Sequence, residues 1–484
     1  MPSRISPLQA PRQYACVRKP TKTESEQRKV SLGITVIQKS DLTRKKPNAK
    51  IALVLAGGAV TGGTFKIGGL KALNDFLVNR KVTDFDMYVG VSAGAFVSSF
   101  LAAGVSPGEI LKTLDGSSEY FDQLSPFHIY WPNLYEFVER PLSYLYRRTT
   151  YLPGIFYDSI KALPRVWQPL RDGFMRFCSQ PNYSNLELVM RPFAKIIYST
   201  RSMPSLSEAL PSGICDNTRL EGFMRKNFEK NHLPNNFKML KKIRGKSLYI
   251  LAMDLDTADR VVFGPDEKND VTISQAVQAS SALPMIYKPA RIKGVDYIDG
   301  AVKRTTNMDL AIRKGADLVI CYNPFRPYSN RLVFEYLREE DKYVTKNRRI
   351  SDSGLLMIFN QVFRTIFHTR IRYFIDQMIM DRSFKGDIIL IEPKEDDSTF
   401  FEMNPFSFWN RARAARHGFV SVKNTIEGRF EEVSKILASY GIEMTREVVD
   451  HDFNQMTKST SDDAMIMGVL EKESSPRSRL RLVA

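Results

Sequence analysis

Gly90-Val91-Ser92-Ala93-Gly94 stands between Asp86-Met87-Tyr88-Val89, a short β-forming run, and an apolar helix-forming run that reaches Ala103. A serine at that junction sits in a strand-to-helix bend. The spacing suits a nucleophile elbow, in which the flanking glycines Gly90 and Gly94 remove side chains that would collide in a strained turn. The helix that starts just after Ser92 would aim its N-terminal N–H groups at developing negative charge. A bare Gly-x-Ser-x-Gly is also compatible with an ordinary glycine-rich turn; the strand and helix around this one give it weight.

Upstream, Ile51-Ala52-Leu53-Val54-Leu55 reads as a buried parallel strand that ends at Gly57-Gly58. Ile67, Leu70, Leu73 and Leu77 then recur at three and four, one helical stripe running to about Arg80. With the second strand and helix this makes a βαβα unit and predicts an α/β fold. Gly57 to Gly63, Gly-Gly-Ala-Val-Thr-Gly-Gly, offers backbone donors to an oxyanion or a phosphate. No Gly-Lys-Ser/Thr follows and the GxGxxG spacing is absent, which favours an oxyanion hole made by Gly57, Gly58 and Ala59 together with Ala93. Glycines retained for close helix packing are the alternative, and both roles can coexist.

The chain has 484 residues, 43% hydrophobic and 25% charged, a composition that excludes wholesale disorder. Its net charge of +17 implies an anionic neighbour, a membrane surface or a nucleic acid. Twelve Lys/Arg against Glu24, Glu26 and Asp41 give the first 50 residues a net of +9, so residues 1–49 read as a basic, disordered leader. That leader lacks the apolar stretch of a secretory signal, and no run approaches the roughly 20 apolar residues of a membrane span. Cys16, Cys178, Cys215 and Cys321 form no CxxC pair, in keeping with a reducing compartment. Residues 431–484 read as a C-terminal helix followed, from about Asp452, by a flexible tail.

A serine nucleophile needs a base. None of the five histidines, His128, His232, His368, His417 and His451, lies in a segment that looks like a strand end or a catalytic loop. Asp299 does: Ala282-Leu283-Pro284 precedes a β-like run from Ile292 to Tyr297, and Asp299-Gly300 turns where a sheet would end. A desolvated aspartate can accept the serine proton directly if its proton affinity is raised. A plain Asp-Gly turn explains the same residues locally.

Four ordered stretches together resemble the patatin-like phospholipases. They are the glycine loop leading into Phe65-Lys66-Ile67-Gly68-Gly69-Leu70-Lys71-Ala72-Leu73, then Gly90 to Gly94, Ala279-Ser280-Ser281-Ala282-Leu283-Pro284, and Asp299-Gly300 followed by Gly315-Ala316-Asp317. Leu248 to Phe263, with Asp254-Leu255-Asp256, and more weakly Gly386 to Asn424, fit the same pattern. The resemblance implies a three-layer sheet flanked by helices, Ser92 as nucleophile, Asp299 as its base, and phospholipid or lysophospholipid as substrate, with no metal or other cofactor. Two departures stand out. Matched from Gly57, Ala59 occupies the family's third glycine position and Thr61 the place of its basic residue, with one extra residue before Phe65. Asn307 stands where the family has proline.

The resulting expectation is one catalytic domain over 50–430, with a mainly helical insertion at about 121–244 and an amphipathic helical segment at about 355–382. The insertion interleaves aromatic and basic residues, among them Tyr146, Arg147, Arg148, Phe156, Tyr157 and Trp167, as a lipid-facing lid would or as a helical core of its own would. In the amphipathic helix Phe363, Ile366, Phe367, Ile371, Phe374, Ile375 and Met378 form one stripe, with Arg364, His368, Arg372 and Gln377 off it. The sequence is thus expected to encode a cytoplasmic enzyme peripherally attached to an anionic membrane, binding no nucleic acid, its protein partners unknown. Two other readings remain: a Ser-His-Asp lipase that uses His417, and a lipid-binding protein of this fold with impaired chemistry.

Overall fold

Five-residue apolar runs rich in Ile, Val and Leu build most of the central strands, and apolar side chains on both faces suit strands covered by helices on either side. The computed structural model describes residues 33–200, 205–332, 334–337, 342–345, 348–458 and 463–472. The principal strands in chain order are β1 (Ile34–Gln38), β2 (Ile51–Leu55), β3 (Met87–Val91), β4 (Ser247–Asp254), β5 (Arg260–Phe263), β6 (Ala290–Ile292), β7 (Val295–Asp299), β8 (Leu318–Tyr322) and β9 (Asp387–Ile391). The principal helices are α1 (Ala59–Phe76), α2 (Ala93–Ala103), α3 (Leu134–Ser179), α4 (Tyr183–Thr200), α5 (Leu355–Met380), α6 (Arg411–Glu427), α7 (Glu447–Lys458) and α8 (Asp463–Leu470). The fold is mixed α/β. Its described residues fall into two units, one drawn from Met1–Asp115, Leu240–Tyr249 and Arg304–Ala484, the other from Gly116–Met239 and Ile250–Lys303.

In the first unit the strands run in the order β1-β9-β8-β2-β3. β9, β8, β2 and β3 are parallel, and β1 adds antiparallel at the β9 edge. β2, β3, β8 and β9 are buried along their whole length, as a parallel sheet between helical layers requires. β1 lies inside the stretch expected to be disordered: its Ile-Thr-Val-Ile run pairs with β9, a local β pattern that the surrounding charge obscures. Residues 1–32 of the expected leader lie outside the described residues.

α1 and α6 pack with their backbones in contact. A Cβ on Gly68 would fall on the carbonyl oxygen of Ala415, and one on Gly418 on that of Phe65. Neither neighbour is a flexible side-chain end, so both helices would have to separate. Gly68→Ala and Gly418→Ala are each expected to cost about 3 kcal/mol, the upper part of the overpacking range, read as a lower denaturant midpoint at unchanged slope.

The C-terminal stretch also departs from expectation, because the end of α7 and the whole of α8 lie within the predicted tail. Val449, Met456, Ile466, Met467 and Leu470 are buried. The Lys71 ammonium, on α1, bridges Asp75 at 2.6 Å and Asp452 at 2.8 Å with all three groups almost wholly buried, so α7 is tied to α1. Sequence composition hides this, since an amphipathic helix with a polar outer face has the same content as a solvated tail. Residues 459–462 and 473–484 lie outside the described residues.

α5 buries most of the expected stripe, Phe367, Ile371, Ile375 and Met378, and departs from the expectation in its first half. Arg364, predicted off the stripe, is buried, and Phe363 and Ile366 are 47% and 43% exposed. The cause is hydrogen bonding: the Arg364 guanidinium donates to the Pro324 and Arg326 carbonyls (3.2 and 3.1 Å) and lies over the Phe400 ring at 4.8 Å. Burial pulls its pKa down to about 10.

The second unit is built on antiparallel strands in the order β5-β4-β7-β6, to which β4 contributes from Ile250 onward. Its longest elements are α3, with 46 residues and four interior prolines, and the adjoining α4. Tyr146, Phe156, Tyr157 and Trp167 are exposed on α3, so these aromatics do not form a core. No helix among the described residues is long and apolar enough to cross a membrane.

Candidate active site

Leu55 and Gly90 are register partners, so the chain leaves two adjacent parallel strands side by side, one into the glycine loop and the other into the Ser92 bend. Loops at the carboxyl ends of parallel strands are where α/β sheets place their chemistry. Ser92 has φ 54° and ψ −129°, a strained backbone for a residue with a Cβ, and it is 8% exposed. Its carbonyl accepts from Ala95 N–H at 2.8 Å, which starts α2. A Cβ on Gly90 would lie 2.6 Å from the Ala95 Cα, and one on Gly94 would strike the Leu55 carbonyl oxygen. Both glycines are therefore demanded by the bend.

The glycine loop lies against this bend. A Cβ on Gly57 would sit 3.3 Å from the Ser92 Cβ, and one on Gly63 would be 3.2 Å from the Ala93 Cβ. Among the described residues the N–H groups of Gly57, Gly58, Ala59 and Ala93 donate to nothing, in keeping with their positions at or before the first turns of α1 and α2. Ala59 holds φ 51°, so the residue in the third glycine position takes a left-handed conformation that glycine adopts more cheaply.

Thr61, which replaces the family's cation, anchors the loop instead. Its hydroxyl donates to the Asn404 and Ser407 carbonyls at 2.7 and 3.2 Å, and its N–H to Pro405 at 3.0 Å. A cation reaches the loop from another position. Lys66, 0% exposed, donates from Nζ to the carbonyls of Ala56 and Gly57, the latter at 3.0 Å. Behind the loop, Pro324 and Phe325 abut Gly58 and Gly57, held by Arg364 and by Asn323, whose Oδ1 accepts from Phe325 N–H at 3.1 Å. Asn323 in turn donates to the fully buried Glu392 at 2.7 Å. Burial pushes the Glu392 carboxyl upward, but His368, Arg326 and Asn323 together hold it below its ordinary range.

Lys66, Asn323 and Arg364 are the residues that sequence reasoning missed. For Lys66 there was a signal, a lysine within an otherwise apolar, glycine-rich helical stretch. For the other two there was none.

Asp299 ends β7 in the second unit and is 2% exposed. Its N–H donates to Ala282 at 2.9 Å, which joins it to the Ala279-to-Pro284 stretch, and its Oδ1 accepts from Ala301 N–H at 2.8 Å. The carboxylate is thus oriented and desolvated while it also caps the turn. A Cβ on Gly300 would strike the Leu251 carbonyl oxygen. Asn307 has φ 55°, which proline cannot adopt, so the family's proline is incompatible with this backbone.

The structure therefore gathers Gly57, Gly58, Ala59, Gly90, Ser92, Ala93 and Gly94 in one unit, and Asp299 and Gly300 with the Ala279–Leu283 stretch in the other. His417 presents Nε2 to both oxygens of Asp397 at 2.8 Å, and its ring lies 5.9 Å from that of Phe65. Asp397 also caps the helix Ser398–Glu402 through Phe400 N–H, so the pair joins α6 to that helix. His368 faces Glu392 at 3.4 Å, His451 pairs with Gln455 at 2.9 Å, and His128 accepts from Ser125 N–H at 3.0 Å. Among the described residues no group of three or more His, Cys, Asp or Glu is arranged to hold a metal ion.

The sequence profile of the patatin-like phospholipases matches residues 53–312 of this chain. A protein named probable lipid hydrolase 463L, from Invertebrate iridescent virus 6, is 22% identical over 268 residues, which cover 55% of this chain and 65% of that relative. The chain thus spans slightly less than two thirds of that relative's length. Among solved structures, VipD from Legionella pneumophila aligns with 82% of this chain and 70% of its own at 16% identity and a TM-score of 0.32. Full-length ExoU from the type III secretion system of Pseudomonas aeruginosa, solved with SpcU, aligns with 89% and 64% at 15% identity and a TM-score of 0.27.

Proposed function

The chain belongs to the patatin-like phospholipase family, and on that premise we propose that it is a lipid acyl hydrolase acting through a Ser92 and Asp299 dyad. The observation that carries this reading is the Ser92 backbone, strained at the bend after β3 and packed against a loop whose N–H groups donate to nothing among the described residues. In the proposed cycle the Asp299 carboxylate takes the Ser92 hydroxyl proton and Oγ attacks the ester carbonyl carbon. The carbonyl π pair moves to oxygen, where N–H groups from Gly57, Gly58, Ala59 and Ala93 meet the charge. Collapse expels the alcohol, which takes the proton from Asp299. Water then attacks the acyl-serine and gives its proton to the same carboxylate; the C–Oγ bond breaks, Ser92 Oγ takes that proton back from Asp299, and the fatty acid is freed.

Phospholipid and lysophospholipid are the proposed substrates. Mass spectrometry of free fatty acid released from phosphatidylcholine and lysophosphatidylcholine vesicles tests the reading. Release from at least one is expected; no release from either, nor from a soluble acyl ester, ends it.

The proposal includes attachment to an anionic bilayer. The first half of α5 exposes Leu355, Leu356, Phe359, Val362, Phe363 and Ile366, and its one charged side chain, Arg364, points inward. Arg348 and Arg349 before it and Arg370 beyond it are exposed, a basic rim around an apolar face that matches anionic head groups over acyl chains. Phe359→Asp with Phe363→Asp should lower co-sedimentation with phosphatidylserine-containing vesicles at least tenfold and leave hydrolysis of a soluble ester unchanged. Undiminished vesicle binding would remove α5 as the docking face.

A further inference from the structure

We infer that Lys66 is a positioning residue for the oxyanion hole, a buried ammonium that fixes the glycine loop from beneath and sets positive charge under the site where the oxyanion forms. The inference rests on the proposed function and adds to it a residue that does not touch substrate.

A peptide unit has two faces. The carbonyl of Gly57 and the N–H of Gly58 belong to one plane and point in opposite directions, as do the carbonyl of Ala56 and the N–H of Gly57. Lys66 Nζ accepts no hydrogen bond and donates to both carbonyls, so each is turned toward α1 and each paired N–H is turned away from it. Without that tether a loop with glycine at 57 and 58 has other backbone conformations open to it, and flipping one peptide would replace a donor by a carbonyl oxygen facing the oxyanion. Other anchors hold the neighbouring groups: Ala56 N–H donates to the Tyr322 carbonyl at 3.1 Å, the Gly58 carbonyl accepts from Gly62 N–H at 2.9 Å, Thr61 holds the start of α1, and Pro324 and Phe325 limit the loop laterally, while Lys66 holds the Ala56 and Gly57 carbonyls.

The second effect is electrostatic. Lys66 is fully buried, and its charge reaches Cys321, whose thiol burial and Glu392 raise and Lys66 lowers. A cation in this position favours an oxyanion over the neutral ester and so acts on the transition state more than on substrate binding. It stands in for the basic residue that Thr61 replaces, approaching from the helix interior in place of the loop surface.

The test compares the full chain with Lys66→Met and Lys66→Gln. Lys66→Met keeps length and removes both donors and charge; Lys66→Gln keeps a donor and removes charge. Each is checked by circular dichroism and thermal melting, then assayed for kcat and KM on a soluble p-nitrophenyl ester and for inhibition by an alkyl trifluoromethyl ketone, whose adduct with serine carries the tetrahedral oxyanion. Lys66→Met is expected to lower kcat about 100-fold, as loss of one oxyanion donor does, with KM within about threefold, and to weaken the ketone by a similar factor. Lys66→Gln should fall between it and the parent. Equal loss in kcat and unchanged ketone affinity would overturn the inference, as would folded variants with parental kcat, or failure of both variants to fold, which would make Lys66 a stability residue only. If the parent itself shows no Ser92-dependent turnover, the proposed function fails first and the role of Lys66 fails with it; parental turnover with an indifferent Lys66→Met leaves the function standing.

Discussion

Ser92→Ala is expected to abolish covalent capture by a fluorophosphonate and to lower ester turnover by about 10,000-fold or more, with folding unchanged. Alanine has the Cβ of serine and nothing beyond it, so the left-handed backbone at φ 54° is neither relieved nor worsened, and the Gly57 and Gly94 contacts stay as they are. Only Oγ is lost. Without it no acyl-enzyme forms, and what remains is hydrolysis by water in a site that still binds the ester and offers N–H donors, a residual commonly about 1,000-fold above solution. The thermal midpoint should therefore match the parent's while labelling disappears. A Ser92→Ala protein that still takes up the probe at the parental rate would place the nucleophile elsewhere and remove the elbow from the chemistry.

The parts of the fold that could be read in advance are those whose cause is local. β2, α1, β3 and α2 were legible because short apolar β-forming runs, a three-and-four repeat, and glycines at the two turns are each written within a few residues of the structure they make. β1 was not, since its pairing partner β9 lies some 350 residues away and nothing near Ile34 announces it. The same holds for α7 and α8, whose buried positions have meaning only against α1, α6 and the Lys71 ammonium. On α5 the expected stripe is buried from Phe367 onward, and Arg364 departs from it for a different reason. Hydropathy ranks arginine as a surface residue, yet the carbonyls of Pro324 and Arg326 and the ring of Phe400 make a buried place for Arg364, and the helix turns to fill it. Division into two units is a property of long-range contacts and has no local signature.

At the site the same distinction applies. Gly57, Gly90, Ser92 and Gly94 were legible because steric demands at bends are met by residue type in place, and the Asp299-Gly300 turn because aspartate and glycine serve such turns. Thr61 read as the loss of a cation; in three dimensions it is an anchor with two carbonyl partners. Lys66 read as one more helical residue, and its role rests on where the carbonyls of Ala56 and Gly57 point, which no spacing rule reports. Asn307 read as a departure from the family pattern, and its φ of 55° shows that the departure belongs to the backbone as well as to the side chain.

Asp299→Asn is expected to lower kcat by about 1,000-fold to 10,000-fold and leave KM nearly unchanged, while His417→Ala leaves kcat within about threefold of the parent. Asparagine is close to isosteric, and its Oδ1 can still accept from Ala301 N–H, so the turn after β7 is retained and the change isolates proton affinity from geometry. An amide oxygen does not take a proton from an alcohol near neutral pH, and so the alkoxide would have to form unaided. His417 makes the control demanding, because it does have a carboxylate partner, as a triad histidine would. That partner, Asp397, spends its other bond on the cap at Phe400, and the pair sits beside the Phe65 ring, where it links α6 to the helix 398–402. His417→Ala should accordingly melt earlier, because a partly buried carboxylate loses a hydrogen bond, and yet turn over ester normally below its melting range. The opposite pattern, a folded His417→Ala without turnover beside an active Asp299→Asn, would assign the proton to the imidazole and replace the dyad by a triad.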